Sequence, residues 1–250
     1  MTPAPPPLAL LQAARDDPAR VVLEGFHALK HALRFGAVVE AAATSDRAGL
    51  DALAQELAPD VAARLLALAT PVARAELRAA FPRPPHTEVV ALARRPAFSP
   101  AAALAARPQR PVVLLEDPRN LGNVGAVVRV AAAADAAAVV TTGPRDPWDR
   151  TAVRGAAGLH FALPVGVLGG DLAGALAGRP LVALDPGGEP LAAAPLPAGA
   201  VLAFGTERHG LSAALLARAE RRVALPMRAG VSSLNLATAV AAVLYGGRFG

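Results

Sequence analysis

Asn123 and Arg129 stand six residues apart on one apolar segment, Glu207 sits within Phe204-Gly-Thr-Glu-Arg-His-Gly210, and Ser233 and Asn235 close the segment that begins at Leu225. Two amides, a guanidinium, a carboxylate and a hydroxyl can orient a ligand and stabilise developing charge. Each segment is a glycine-rich turn at the edge of an apolar strand or helix. A ligand pocket lined by backbone, with a few placed side chains, is written this way. There is no cysteine, and the five histidines (27, 31, 86, 160, 209) lack metal-ligand spacing. The pattern therefore predicts no metal centre and no disulfide.

Each residue also has a plainer reading. Asn123 near a helix start can be an N-cap, and Gly122-x-x-Gly125 can ease packing. Arg129 lies in a stretch, Val124–Ala134, that is otherwise apolar. An unpaired charge on a buried helix is costly, which predicts that Arg129 faces a polar cleft or an ion-pair partner. Gly205 leaves room for a ligand to approach the backbone. His209 reads as structural. Ser232 and Ser233 can cap the last helix, whereas Asn235, read as buried within it, requires hydrogen-bond partners.

The elements that must position these groups follow from periodicity. In the first part, strands are expected at Val21–Leu23, Val38–Ala43 and Val89–Leu92, and helices at His27–Phe35, Leu50–Leu57 and Val72–Ala80. This alternation predicts a small α/β/α sandwich over 20–95. Residues 1–19, proline-rich at their start, read as a tail. The stretch 96–110, with Pro96, Pro100 and Pro108 ahead of Pro111, reads as a linker. From 111 to 250, apolar strands at Val112–Leu115, Val139–Thr142, Phe161–Val167, Leu181–Leu184, Val201–Phe204 and Val223–Leu225 alternate with helices. Those helices begin near Asn123 and cover Thr151–Ala157, Leu172–Ala177, Leu211–Ala219 and Leu234–Tyr245. The expected fold class is α/β, with a mostly parallel sheet covered by helices on both faces.

Hydrophobic residues make up 54% of 250, enough for a sizeable core, and the net charge is +5. Residues 1–95 hold 11 basic against 10 acidic groups, and 96–250 hold 14 against 10. A basic nucleic-acid surface is permitted by this balance but not required. The uncharged stretch from Ala229 to Gly247 is polar in its first half. It falls short of the roughly 20 apolar residues that cross a bilayer, and a cytoplasmic protein is expected.

In order and spacing, the three segments resemble the signature motifs of the SpoU-type (TrmH-like) RNA ribose 2′-O-methyltransferases, a branch of the SPOUT superfamily. Asn123 and Arg129 match the first motif, and Gly205, Glu207 and Gly210 the Gly-x-Glu-x-x-Gly second. Leu225-Pro-Met with Ser233-Leu-Asn235 matches the third. The resemblance covers nearly all of 110–250. It implies a C-terminal trefoil knot, a homodimer and S-adenosylmethionine as cofactor, cradled by Gly205, Leu225 and Leu234. It also implies a site built from Asn123, Arg129, Glu207, Ser233 and Asn235. The segment Val22-Leu-Glu-Gly-Phe-His-Ala-Leu is similar to the opening of the RNA-binding domain that precedes many such catalytic domains. Where the family often has Arg-x-Ser-x-Gly, this chain has Arg154-Gly-Ala-Ala-Gly158, which leaves Arg154 as a candidate RNA phosphate contact and departs at Ala156.

The reaction so implied moves a methyl group from sulfonium to the 2′-hydroxyl of structured RNA, ribosomal RNA being favoured over transfer RNA. No metal is needed. The protein supplies orientation and help with the hydroxyl proton. The resemblance implies Arg129 as general base, which suits an always-charged guanidinium poorly. The other reading has Arg129 stabilise the developing alkoxide while a substrate phosphate or water takes the proton, and the sequence leaves both open. The competing reading is a non-catalytic RNA-binding protein with a vestigial methyltransferase domain. A dinucleotide-binding oxidoreductase would need Gly-x-Gly-x-x-Gly after the first strand, which Asn120-Leu-Gly-Asn-Val-Gly125 lacks.

Overall fold

Short, continuously apolar strands give two separate sheets in the computed structural model, which describes residues 7–14, 17–81, 85–169, 176, 178–206, 209–247 and 249. The chain divides into two units, one comprising 1–97 with 157–162 and the other 98–156 with 163–250.

In the first unit, β1 (Arg20–Glu24), β2 (Val39–Thr44), β3 (Ala69–Pro71) and β4 (Val89–Arg94) form a sheet of order β1-β4-β2-β3. Antiparallel pairs join β4 to β1 and β2, and β3 adds in parallel to β2. One face of the sheet packs Val22, Ala43, Val90 and Leu92 against α1 (Pro7–Ala13) and α5 (Arg74–Ala80). Over the other face lie α2 (Phe26–Arg34), which packs on β1 and β4, and α4 (Ala62–Leu68), which packs on β2; α3 (Arg47–Leu57) lies against α4. This is the expected α/β/α sandwich, with α4 and β3 added. Both are short, and β3 is only three residues long, too brief to show a period.

The tail expected over 1–19 is corrected in part. Residues 7–13 are helical, with Leu11 and Ala14 buried in the core of this unit. Proline at the first helical position is compatible with helix, and the leucines behind it supply the apolar face.

In the second unit, β5 (Val112–Leu115), β6 (Ala138–Thr141), β7 (Val165–Val167), β8 (Leu181–Pro190), β9 (Val201–Phe204) and β10 (Arg221–Ala224) form one sheet. Its order is β10-β8-β9-β5-β6-β7, and every pair is parallel. Leu114, Val140, Ala183 and Ala203 share a core with α6 (Pro100–Ala105) and α9 (Ala213–Arg218). The alternate residues Val113, Leu115, Val139, Val182 and Leu202 are also fully buried, so the sheet is covered on both faces. On β6 lies α7 (Leu121–Ala133), which also packs against α8 (Arg150–Gly155) and α10 (Leu236–Gly246). The strand expected over Phe161–Val167 is shorter, because Leu159–Phe161 form a 3₁₀ turn. The helix expected at Leu172–Ala177 falls, except for Leu176, outside the described residues. Among the described residues no helix is long and apolar enough to cross a membrane.

The linker expected over 96–110 is also corrected. Residues 98–110 belong to the second unit, and Ala103 and Leu104 lie in its core. Arg179, 9% exposed, holds the segment in place. Its five guanidinium hydrogen bonds reach the carbonyls of Leu104 (2.9 and 2.5 Å), Arg107 (2.8 Å), Arg110 (2.7 Å) and Gly199 (2.8 Å). Burial lowers its pKa from the usual arginine value, and the carbonyl cage supplies the hydrogen bonds that water would otherwise provide.

Candidate active site

In a parallel sheet the strand carboxyl ends lie along one edge, where ligand crevices form. Two such ends, from β9 and β10, and the middle of β8 line a cleft of about 150 Å³ with the segment leading into α10. The β8 contribution is Leu184–Pro186, that of β9 is Phe204–Thr206, and that of β10 includes Leu225 and Met227. Ser232, Ser233 and Leu234 complete the wall, with Leu236 and Ala239 of α10. Gly205, Leu225, Leu234 and Ser233, which the second and third motifs single out, thus share one cleft.

Gly205 has a different reason to be glycine from the one expected. A Cβ there would stand 2.0 Å from the Gly210 carbonyl carbon and 2.2 Å from the Leu211 nitrogen. The turn closes on itself, with Thr206 and Gly210 exchanging two backbone hydrogen bonds of 3.1 Å. Glu116, just beyond β5, anchors the far side by accepting from the Ser212 N–H (2.7 Å) and hydroxyl (2.5 Å). Glu207 lies outside the described residues. His209 donates its backbone N–H to Thr206 Oγ1, at 3.1 Å.

The cap of α7 is Asn120, not Asn123. The Asn120 side-chain Oδ1 accepts from the N–H groups of Gly122 (2.9 Å) and Asn123 (3.2 Å). Asn123 sits in the first turn, and its Oδ1 accepts from Asn235 Nδ2 at 3.1 Å. Asn235 is itself the N-cap of α10, accepting from Ala237 (2.9 Å) and Thr238 (3.4 Å). It is exposed rather than buried within the helix. One amide therefore satisfies a helix terminus with its oxygen and joins the first and third motifs with its nitrogen.

Arg129 departs from the buried-helix expectation. Val124, Val127, Val128 and Ala131 turn one stripe of α7 inward, while Arg129 is exposed. It has no ion-pair partner among the described residues. A helix with an apolar composition still has a solvent face, and composition does not identify that face. Gly125 lets α7 approach α8 closely, since a Cβ would fall 2.2 Å from the Ala152 carbonyl oxygen. Arg154, on α8, is also exposed.

Asp185 was missed. It is the only charged residue among the described residues lining the cleft. Its signal was available in Asp185-Pro-Gly-Gly188, a turn-forming run directly after an apolar strand.

Residues 110–245 match the model of the SpoU rRNA methylase family. An uncharacterised tRNA/rRNA methyltransferase of Mycobacterium bovis is 36% identical over 169 residues, covering 63% of this chain and 58% of that protein. The 23S rRNA (uridine(2479)-2′-O)-methyltransferase of Streptomyces viridochromogenes is 33% identical over 144 residues, 53% of this chain and 50% of that one. The chain thus spans a little over half the length of the curated relatives it matches. In fold it is similar to the crystal structure of the SpoU methyltransferase AviRb from Streptomyces viridochromogenes in complex with AdoMet. That likeness has a TM-score of 0.75 at 24% identity and covers 97% of this chain and 96% of that one.

Proposed function

The chain belongs to the SpoU rRNA methylase family, and from that premise we propose that it methylates a ribose 2′-hydroxyl of RNA, with S-adenosylmethionine as donor. One observation carries the reading. The Asn235–Asn123 bond joins the first and third motifs, and Ser233 and Leu234, immediately before Asn235, line the cleft that Gly205 and Leu225 share.

The cleft suits an adenosyl group. Phe204, Leu225, Leu234 and Leu236 offer apolar surface, Thr206, Ser232 and Ser233 offer hydroxyls, and the turn at Gly205 offers backbone groups. The cofactor supplies a methyl group already activated on a sulfonium, and the remaining work falls to the protein. Gly205, Leu225 and Leu234 hold the adenosyl moiety. Asn123 and Asn235 hold each other, so that neither amide rotates away. Arg129, exposed and without an ion-pair partner among the described residues, is the cation offered to the substrate oxygen as negative charge develops there. Glu207 and Ser233 orient the polar groups around it, and Arg154 meets a phosphate.

Ribosomal RNA is favoured over transfer RNA by the family to which the chain belongs and by the named activity of its Streptomyces relative. The first unit is proposed to bind that RNA. The C-terminal segment is proposed to be knotted, as in the family. Val231, Leu234 and Tyr245 expose apolar surface (49%, 44% and 65%), which a second copy of the chain would cover in a homodimer. A cytoplasmic location accords with such a substrate.

The test is transfer of a labelled methyl group to unmodified ribosomal and transfer RNA, with calorimetry of cofactor binding alongside. Label in the ribosomal pool that resists alkaline cleavage at one ribose is expected. Absence of label in both pools together with failure to bind the cofactor would move the vestigial reading to first place.

A further inference from the structure

Asp185 owes its place to an irregularity in the sheet. Arg222 of β10 pairs with Ala183 of β8, yet the next residue, Val223, pairs with Glu189. Five residues of β8, 184–188, leave the ladder between those two pairs. The excursion brings Leu184, Asp185 and Pro186 to the cleft wall. A regular strand would have carried only alternate side chains toward that edge.

The carboxylate is oriented but not neutralised. Asp185 Oδ1 accepts the Gly187 N–H at 2.9 Å, an Asx-type turn that fixes the rotamer. No arginine, lysine or histidine pairs with Asp185 among the described residues. The cleft around it otherwise presents apolar side chains, hydroxyls and backbone. A half-buried carboxylate with accepting capacity to spare and no cation of its own seeks hydrogen-bond donors from a ligand.

We propose that Asp185 is the residue that reads the vicinal ribose hydroxyls of the nucleoside cofactor, its carboxylate accepting from the 2′- and 3′-hydroxyls. This rests on the cleft being the S-adenosylmethionine site proposed above. Two adjacent hydroxyl donors match the two oxygens of one carboxylate. The neighbouring Thr206, Ser232 and Ser233 can each donate or accept, so they do not select for donors as a carboxylate does.

The test is calorimetry on the full chain with S-adenosylhomocysteine, its 3′-deoxy analogue and 5′-methylthioadenosine, comparing wild type with Asp185→Asn. The amide keeps the Oδ1 acceptor for Gly187, so the turn survives, and an unchanged melting midpoint checks this. Asp185→Asn is expected to weaken S-adenosylhomocysteine and 5′-methylthioadenosine alike, by about tenfold or more. The 3′-deoxy analogue, weaker for wild type, should lose much less on substitution. Equal affinity of wild type and variant for S-adenosylhomocysteine overturns the inference. So does a loss confined to S-adenosylhomocysteine and absent for 5′-methylthioadenosine, which would assign the carboxylate to the ammonium of the amino-acid part. If wild type binds none of the three, the cofactor reading of the cleft fails, which is a distinct result.

Discussion

Both units match arginines with carboxylates, but the second also leaves charge unpaired on its first motif and in its cleft. In the first, carboxylates and arginines are matched to one another. Glu40 accepts from both Arg20 (2.6 Å) and Arg94 (2.8 Å), Arg34 meets Asp60, and Glu88 takes Arg74 together with the Ser45 hydroxyl. In the second, Arg107 and Arg110 share Asp135, Arg119 meets Asp117 and Arg221 meets Glu189. Arg179 is saturated by carbonyls away from the cleft, while Arg129 and Asp185 are left without an ion-pair partner among the described residues. A charge paired within its own unit has its hydrogen bonds met and little to offer a ligand. A charge held in place but unpaired stores interaction capacity for something outside the chain. On this contrast the second unit holds unspent polarity on the loops and helices around one sheet edge.

The sharpest way to break the contrast is Arg129→Ala. Methyl transfer should fall about 10²–10³-fold, with calorimetric cofactor affinity and melting midpoint unchanged. Parallel loss of binding and stability would make Arg129 structural and erase the distinction between spent and unspent charge. Arg179→Met tests the opposite case. It strips the carbonyls of Leu104, Arg107, Arg110 and Gly199 of their donor, and should lower unfolding free energy by about 2–4 kcal/mol in a denaturant titration. Proteolysis should then cut first within 98–110.

Asn235→Ala removes both a helix cap and the bond to Asn123. About 1 kcal/mol of stability should go, and transfer activity should fall further than that loss explains. Asn235→Asp restores the cap but not the donor, so recovery of stability without activity would separate the two roles. The smallest effect belongs to Glu40→Gln, on the surface of the first unit. The guanidinium hydrogen bonds from Arg94 and then Arg20 lower the Glu40 pKa from its ordinary 4.5. The native state thus holds the proton less well than the unfolded chain. The stabilisation is full above pH 4.5 and is lost as pH falls through the lower folded value. The gap in melting midpoint between wild type and Glu40→Gln should be small at pH 7, shrink with added salt, and vanish once the carboxylate is protonated in acid.

Much of this was legible beforehand, for identifiable reasons. Val112–Leu115 and Val201–Phe204 were placed to the residue, because continuous apolar runs bounded by turn formers have one natural reading. Asn120 and Asn123 were harder, since both precede apolar positions and only geometry shows which amide caps α7. Arg129 was misjudged because composition alone was used where the facing stripe decides. Asp185 was passed over because a strand of ten residues with a five-residue excursion does not announce itself by period.

The sequence by itself determined the alternation of strands and helices, the α/β class, the order of the motifs and the residue types available for chemistry. These depend on local period, turn formers and spacing, which neighbours along the chain express. Only the tertiary structure decided that Arg179 draws a proline-rich stretch 69 to 75 residues away into its own unit. It also decided that Asn235 meets Asn123 across 112 residues, and that a slipped register delivers Asp185 to the cleft. Those outcomes depend on which groups remain unsatisfied once the sheet has closed, and no local segment contains that information.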